Sequence, residues 1–287
     1  MIAHPDELTM RGRGFPLALR ASMPRNEFFA GLFILGCANG IGARAIESVN
    51  QHGWAGALIG TFEISLIVWF SCFAGIAFIF RDTAANIRAF DVIIGAGFLL
   101  LVILPIGGLS WLAVTALSLY VLFFTNASSA LRKGAVILLA TTVPMLWSRL
   151  LFHFFANRIL EIDAAFVGWL LGTPRTGNII GFADQSGNLA ILPPCSSLGN
   201  VSLAILCWVT MSRSVRHRWS PHDIFWCLFA CGSVVTLNVT RISLMGLSRS
   251  HYEVIHSQWG DTVVNIIILG LTVCISLLGV RRELFSR

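Results

Sequence analysis

A thiol, a guanidinium and two imidazoles in the C-terminal part of the chain are the side chains best suited to shared chemistry: Cys195, Arg241, His251 and His256. Together they would make an acyl-transfer site. A thiolate attacks a carbonyl, an imidazole takes and returns a proton, and a guanidinium steadies the oxyanion or the thiolate. Each residue also has a plainer reading, and the residues alone leave both open. Cys195 follows Pro193-Pro194 and opens an apolar run. A proline pair suits the first turn of a helix but not its interior, so Cys195 is predicted at a helix N-terminus. The helix dipole there favours an anion and predicts a thiol pKa below its ordinary value of about 8.5; otherwise Cys195 is a packed cap residue. Arg241 interrupts the apolar run 234–247. A charge within a span costs roughly 2.5–3.5 kcal/mol on insertion scales and usually faces the bundle interior with a partner; the alternative is an arginine that snorkels to the interface. Either histidine can carry a proton near neutral pH, and their i, i+5 spacing is a poor metal signature.

Other polar features are weaker. Glu63 and Arg149 intrude on apolar runs and are expected to pair or to line a substrate groove. The remaining cysteines (Cys37, Cys72, Cys207, Cys227, Cys231 and Cys274) fall mostly inside apolar runs, form no CxxC pair and read as small core residues. The sequence carries no GxSxG, HExxH, P-loop or Rossmann fingerprint, so no cofactor or metal is expected.

The elements that position these residues are apolar helices. The chain of 287 residues is 56% hydrophobic and 12% charged, with a mean hydropathy of +0.78, where soluble domains carry about 25% charged residues. A spanning helix needs roughly 20 mostly apolar residues. Apolar segments at about 28–46, 54–80, 89–107, 110–125, 134–156, 195–211, 224–245 and 262–280 predict an all-α polytopic membrane protein of about eight transmembrane helices. Residues 1–27 read as a basic cytoplasmic tail and 28–287 as a single transmembrane domain. The net charge of +6 sits between apolar runs, which points to membrane lipid and not to nucleic acid.

Most of the basic residues fall on one side if the N-terminus is cytoplasmic and the helices alternate: Arg11, Arg13, Arg20 and Arg25; Arg81 and Arg88; Arg132 and Lys133; Arg213, Arg216 and Arg218; Arg281, Arg282 and Arg287. This bias predicts both termini in the cytoplasm. Cys195, Arg241 and the histidines then share the outer face. The connection 157–194 lies on that face and is predicted to be structured. Its apolar stretch 164–171 is too short to span and reads as an interfacial or re-entrant helix. Beyond it, two short apolar runs around Asp184-Gln-Ser-Gly-Asn188 suggest a hairpin.

Three short motifs carry a resemblance. Pro194-Cys195-Ser196-Ser197-Leu198, then Asn238-Val-Thr-Arg241-Ile242, then His256-x-x-x-Gly260 are similar, in order and helix-end placement, to the motifs of the exosortase/archaeosortase family. The likeness covers about residues 135–280, the expected catalytic core. It implies a membrane-embedded cysteine protease or transpeptidase in the cytoplasmic membrane, with its site facing the exterior. Cys195 would be the nucleophile, His256 the acid/base and Arg241 the electrostatic stabiliser. Its partners would be exported proteins that end in a sorting signal: a Pro-Glu-Pro-like motif, a spanning helix and a basic tail. Ser197 departs from the family pattern, which usually has glycine there, and predicts a different substrate fit or oxyanion geometry. The other function considered from sequence is a transporter or assembly factor for envelope polymers, with Arg241 and Arg149 along a substrate path.

Overall fold

The computed structural model describes residues 23–82, 86–104, 106–125, 128–215 and 220–285. Arg11, Arg13, Arg20, Arg216, Arg218 and Arg287 lie outside the described residues, as does most of the stretch read as a tail. Ten α-helices and one small sheet make up the described chain. The helices are α1 (Arg25–Ile59), α2 (Leu66–Phe80), α3 (Ala89–Ile103), α4 (Gly107–Phe124), α5 (Ser129–Thr142), α6 (Ser148–Leu171), α7 (Ser197–Ser214), α8 (Pro221–Met245), α9 (Arg249–Ile255) and α10 (Gln258–Phe285). Five helical stretches are long and apolar enough to cross a membrane: α1, α4, the continuous run Ser129–Leu171, α8 and Trp259–Arg281 of α10. The architecture is consistent with an all-α membrane protein. The apolar helices α2 and α3 are shorter, at 15 residues each.

Local chemistry explains where the helices join, bend and meet. Pro144 interrupts the run from α5 to α6, because proline removes one amide donor and crowds the preceding turn. The chain absorbs it in a π-helical turn, Val143–Trp147, and continues as helix. Close approach between helices depends on glycine. A Cβ at Gly134 on α5 would sit 2.6 Å from the Gly75 carbonyl oxygen of α2, so these two helices meet backbone to backbone. The main core packs α1, α2, α4, α5 and α7 around Phe29, Phe33, Trp111, Leu117 and Leu138.

α1 begins at Arg25, inside the predicted tail. Arg25 is buried, and its Nε and Nη2 donate to the two oxygens of Asp91 on α3 at 2.8 and 2.7 Å. Tyr120 of α4 adds its hydroxyl at 2.7 Å, and the Arg88 amide donates at 2.9 Å. Burying an ion pair is costly unless its polar groups are satisfied; these bonds satisfy the carboxylate and join three helices.

The stretch 164–171 is helical and forms the end of α6, which kinks at Phe155 (φ −122°, ψ 19°). Arg158, Glu161 and Asp163 break the apolar run, but none of them breaks a helix. The connection that follows is therefore shorter than expected and starts at Gly172, which caps α6 in the left-handed region (φ 67°). Of the two readings of Glu63 and Arg149, the pairing is not found among the described residues. Glu63 faces His52 at 3.6 Å, and Arg149 is exposed on α6.

Three short antiparallel strands occupy the connection, in the order β1 (Arg175–Thr176), β2 (Ile179–Gly181) and β3 (Asn188–Ala190). The β2–β3 turn is held by the Asp184 carboxylate, which accepts the Ser186 amide at 2.9 Å. The sheet is tied to the bundle by the Ala183 amide, which donates to the Gly246 carbonyl at the end of α8 at 2.9 Å. Ile180, Leu189 and Ile191 bury their side chains against Ala164 and Val167 of α6 and Ile242 and Met245 of α8. This small core lies directly beneath the candidate site.

Candidate active site

Cys195 ends a 3-10 turn, Pro193–Cys195, and does not itself belong to α7. The Cys195 amide closes the turn on the Leu192 carbonyl at 2.9 Å. Ser196 caps α7, and its hydroxyl accepts the Leu198 amide at 3.3 Å. Two buried residues from neighbouring helices clamp the turn. Asp163 on α6 accepts the Ser197 amide at 3.0 Å. Asn238 on α8 donates its Nδ2 to the Cys195 carbonyl at 2.7 Å and to the Ser197 hydroxyl at 3.0 Å. Ser197 thus uses both its amide and its hydroxyl in holding the turn.

The Cys195 thiol is half-buried. It opens on a cavity of about 60 Å³ that is also lined by Leu189, Ala190, Ile191, Tyr252 and His256. His256 caps the C-terminus of α9, and its ring stacks on Tyr252 with centroids 5.0 Å apart. Among the described residues no hydrogen bond joins the thiol and the imidazole; both residues line a cavity with room for water. Gly260 makes the tight entry to α10 possible, since a Cβ there would collide with the Ile255 carbonyl. His251 does not line this cavity: its Nδ1 bonds the Ser248 hydroxyl at 2.7 Å in the first turn of α9. The structure therefore brings His256, and not His251, to Cys195.

Arg241 sits on α8, and its Nη2 donates to the Asp261 carboxylate in the first turn of α10. The Arg241 side chain is 11% exposed, and its Nε is buried without a partner. Arg241 does not line the Cys195 cavity, although its neighbour Ile242 does. Arg241 forms part of the wall of an apolar groove of about 390 Å³ between α8 and α10, with Leu237, Leu244, Val263 and Ile267.

The electrostatics correct one expectation. The Cys195 thiol is pushed up from its ordinary pKa, not down. Burial is the largest cause; the Arg241 charge and the bond to Leu192 pull the other way, while Asp261 and Asp163 push up further. The N-terminus of α7 would favour a thiolate, but Asp163 already supplies the anion there, on the Ser197 amide.

Sequence reasoning missed Asp163, Asn238 as a clamp, Tyr252 and Asp261. Asp163 and Asp261 offered a signal, being carboxylates at the ends of apolar runs. Comparison of the chain with protein-family models, curated proteins and solved structures finds no match.

Proposed function

We propose that the protein is a membrane-embedded cysteine peptidase or transpeptidase of the exosortase/archaeosortase type, acting on the C-terminal sorting signals of exported proteins at the outer face of the cytoplasmic membrane. The observation that carries this reading is that Cys195 and His256, far apart in sequence, line one cavity, whose wall includes Ile242 beside Arg241. His256 takes the thiol proton, directly or through one water. The sulfur attacks the scissile carbonyl, and Arg241 balances the negative charge that develops. Collapse of the tetrahedral intermediate breaks the C–N bond, His256 returns the proton to the leaving amine, and an acyl-enzyme remains on Cys195. Water or an acceptor amine then takes the acyl group and frees the thiol. The groove between α8 and α10 beside Arg241 suits the hydrophobic tail of such a substrate.

The test is co-expression with an exported protein that carries a Pro-Glu-Pro-like motif, a spanning helix and a basic tail. Cys195→Ala and His256→Ala are each expected to reach the membrane at the normal level and to leave the tail uncut. Cutting by Cys195→Ala at the wild-type rate would sink the proposal.

A further inference from the structure

β3 is an edge strand: it pairs with β2 and, among the described residues, has no strand on its other side. In an antiparallel ladder, paired residues alternate between those that bond across and those that do not. Here the Ile191 amide donates to the Asn178 carbonyl and the Phe182 amide to the Gly187 carbonyl, both at 2.9 Å. Leu189, paired with Ile180, has the same parity and faces β2. Ala190, paired with Ile179, has the opposite parity, so its N–H and C=O point away from the sheet. Ala190 is exposed and lines the same cavity as Cys195 and His256.

Free strand edges invite another strand, and proteins usually blunt them with proline, charge or a cover. The sequence Asn188-Leu189-Ala190 carries neither proline nor charge. An extended peptide that adds to such an edge gains main-chain hydrogen bonds whatever its side chains, and it is held straight for attack.

We propose that the substrate binds as an extended strand along the free edge of β3, with the Ala190 N–H and C=O as its main-chain anchor, so that its scissile carbonyl comes to the Cys195 sulfur. The occupant is the segment of substrate next to the cut, in extended form. This inference rests on Cys195 being the nucleophile.

The test uses the full chain in detergent and two alkylating probes: acetyl-tetra-alanyl chloromethyl ketone and its analogue with N-methylated peptide amides. Both alkylate Cys195 by forming a C–S bond and expelling chloride, but the second lacks the donors that a strand needs. Wild type is expected to react about tenfold faster with the first, the factor set by one or two hydrogen bonds. Ala190→Pro removes the outward N–H and no ladder bond, a substitution that edge strands tolerate; it is expected to bring the two rates together. Iodoacetamide should label both proteins alike. Equal rates for the two peptides on wild type would overturn the edge-binding proposal, and that experiment needs no variant to fold. If Cys195→Ala still cuts the co-expressed substrate at the wild-type rate, the nucleophile assignment itself has failed, a result distinguishable from the first.

Discussion

The Asp163 carboxylate on α6 accepts the backbone N–H of Ser197, two residues past Cys195, at 3.0 Å. One bond therefore does two things. It fixes the turn that presents the thiol, and it places a negative charge where a thiolate would otherwise have been favoured. Asn238 completes the arrangement from α8 by bonding the Cys195 carbonyl and the Ser197 hydroxyl. The Cys195 turn is thus held from both α6 and α8.

That electrostatic setting predicts how Cys195 alkylation depends on pH. The folded thiol pKa is raised, so the thiolate fraction is small at neutral pH and the rate climbs at higher pH than for a free cysteine. Asp163→Asn keeps an acceptor for Ser197 but removes a charge, and should move the curve to lower pH. Arg241→Ala removes the opposing charge and should move it higher. Rates of iodoacetamide labelling of the Cys195 peptide, followed by mass spectrometry from pH about 6 to 10, give the comparison. A curve for Asp163→Asn that coincides with wild type would contradict the assignment.

Asn238 should matter through geometry. Asn238→Ala strands the Cys195 carbonyl and the Ser197 hydroxyl, and the loosened turn is expected to slow substrate cutting on the order of 10²-fold, mostly in kcat. Ser197→Gly keeps the Asn238 bond to the Cys195 carbonyl, and a loss of less than about tenfold is expected. Steady-state kinetics on the two purified variants tests the order.

Away from the site, Asp91 is expected to be a large contributor to stability. Asp91→Ala leaves the Arg25 guanidinium buried without its counter-charge, a loss of about 3–5 kcal/mol. A lower thermal midpoint in detergent, with little change for an exposed control such as Glu253→Ala, is the expected result.

Helix contact predicts a smaller effect at Gly134. Gly134→Ala drives a methyl group against the Gly75 carbonyl and the Ile79 side chain, forcing α2 and α5 apart at about 1–3 kcal/mol. Thermal unfolding of the purified variant measures it.

Much of this was legible in the sequence, for definite reasons. The apolar helices announced themselves because a spanning segment is a local property of composition. Cys195 and His256 could be placed at helix ends from Pro193-Pro194 and from the break before α10. What was lost was long-range. The α6 helix ran on through Arg158, Glu161 and Asp163 because charged residues end an apolar run without ending a helix. The bonds from Asp163 to Ser197 and from Arg25 to Asp91 link residues with no shared local pattern. The direction of the thiol shift is set chiefly by burial, a long-range property of the fold, so the helix-dipole argument alone gave the wrong sign.

The central claim is that Cys195 forms an acyl-enzyme. The direct measurement is mass spectrometry of the Cys195 peptide after rapid quenching of enzyme with the tailed substrate. The account predicts a substrate fragment joined to Cys195 through a hydroxylamine-sensitive thioester, absent from Cys195→Ala. Cutting at the normal rate with no adduct on Cys195 would contradict it.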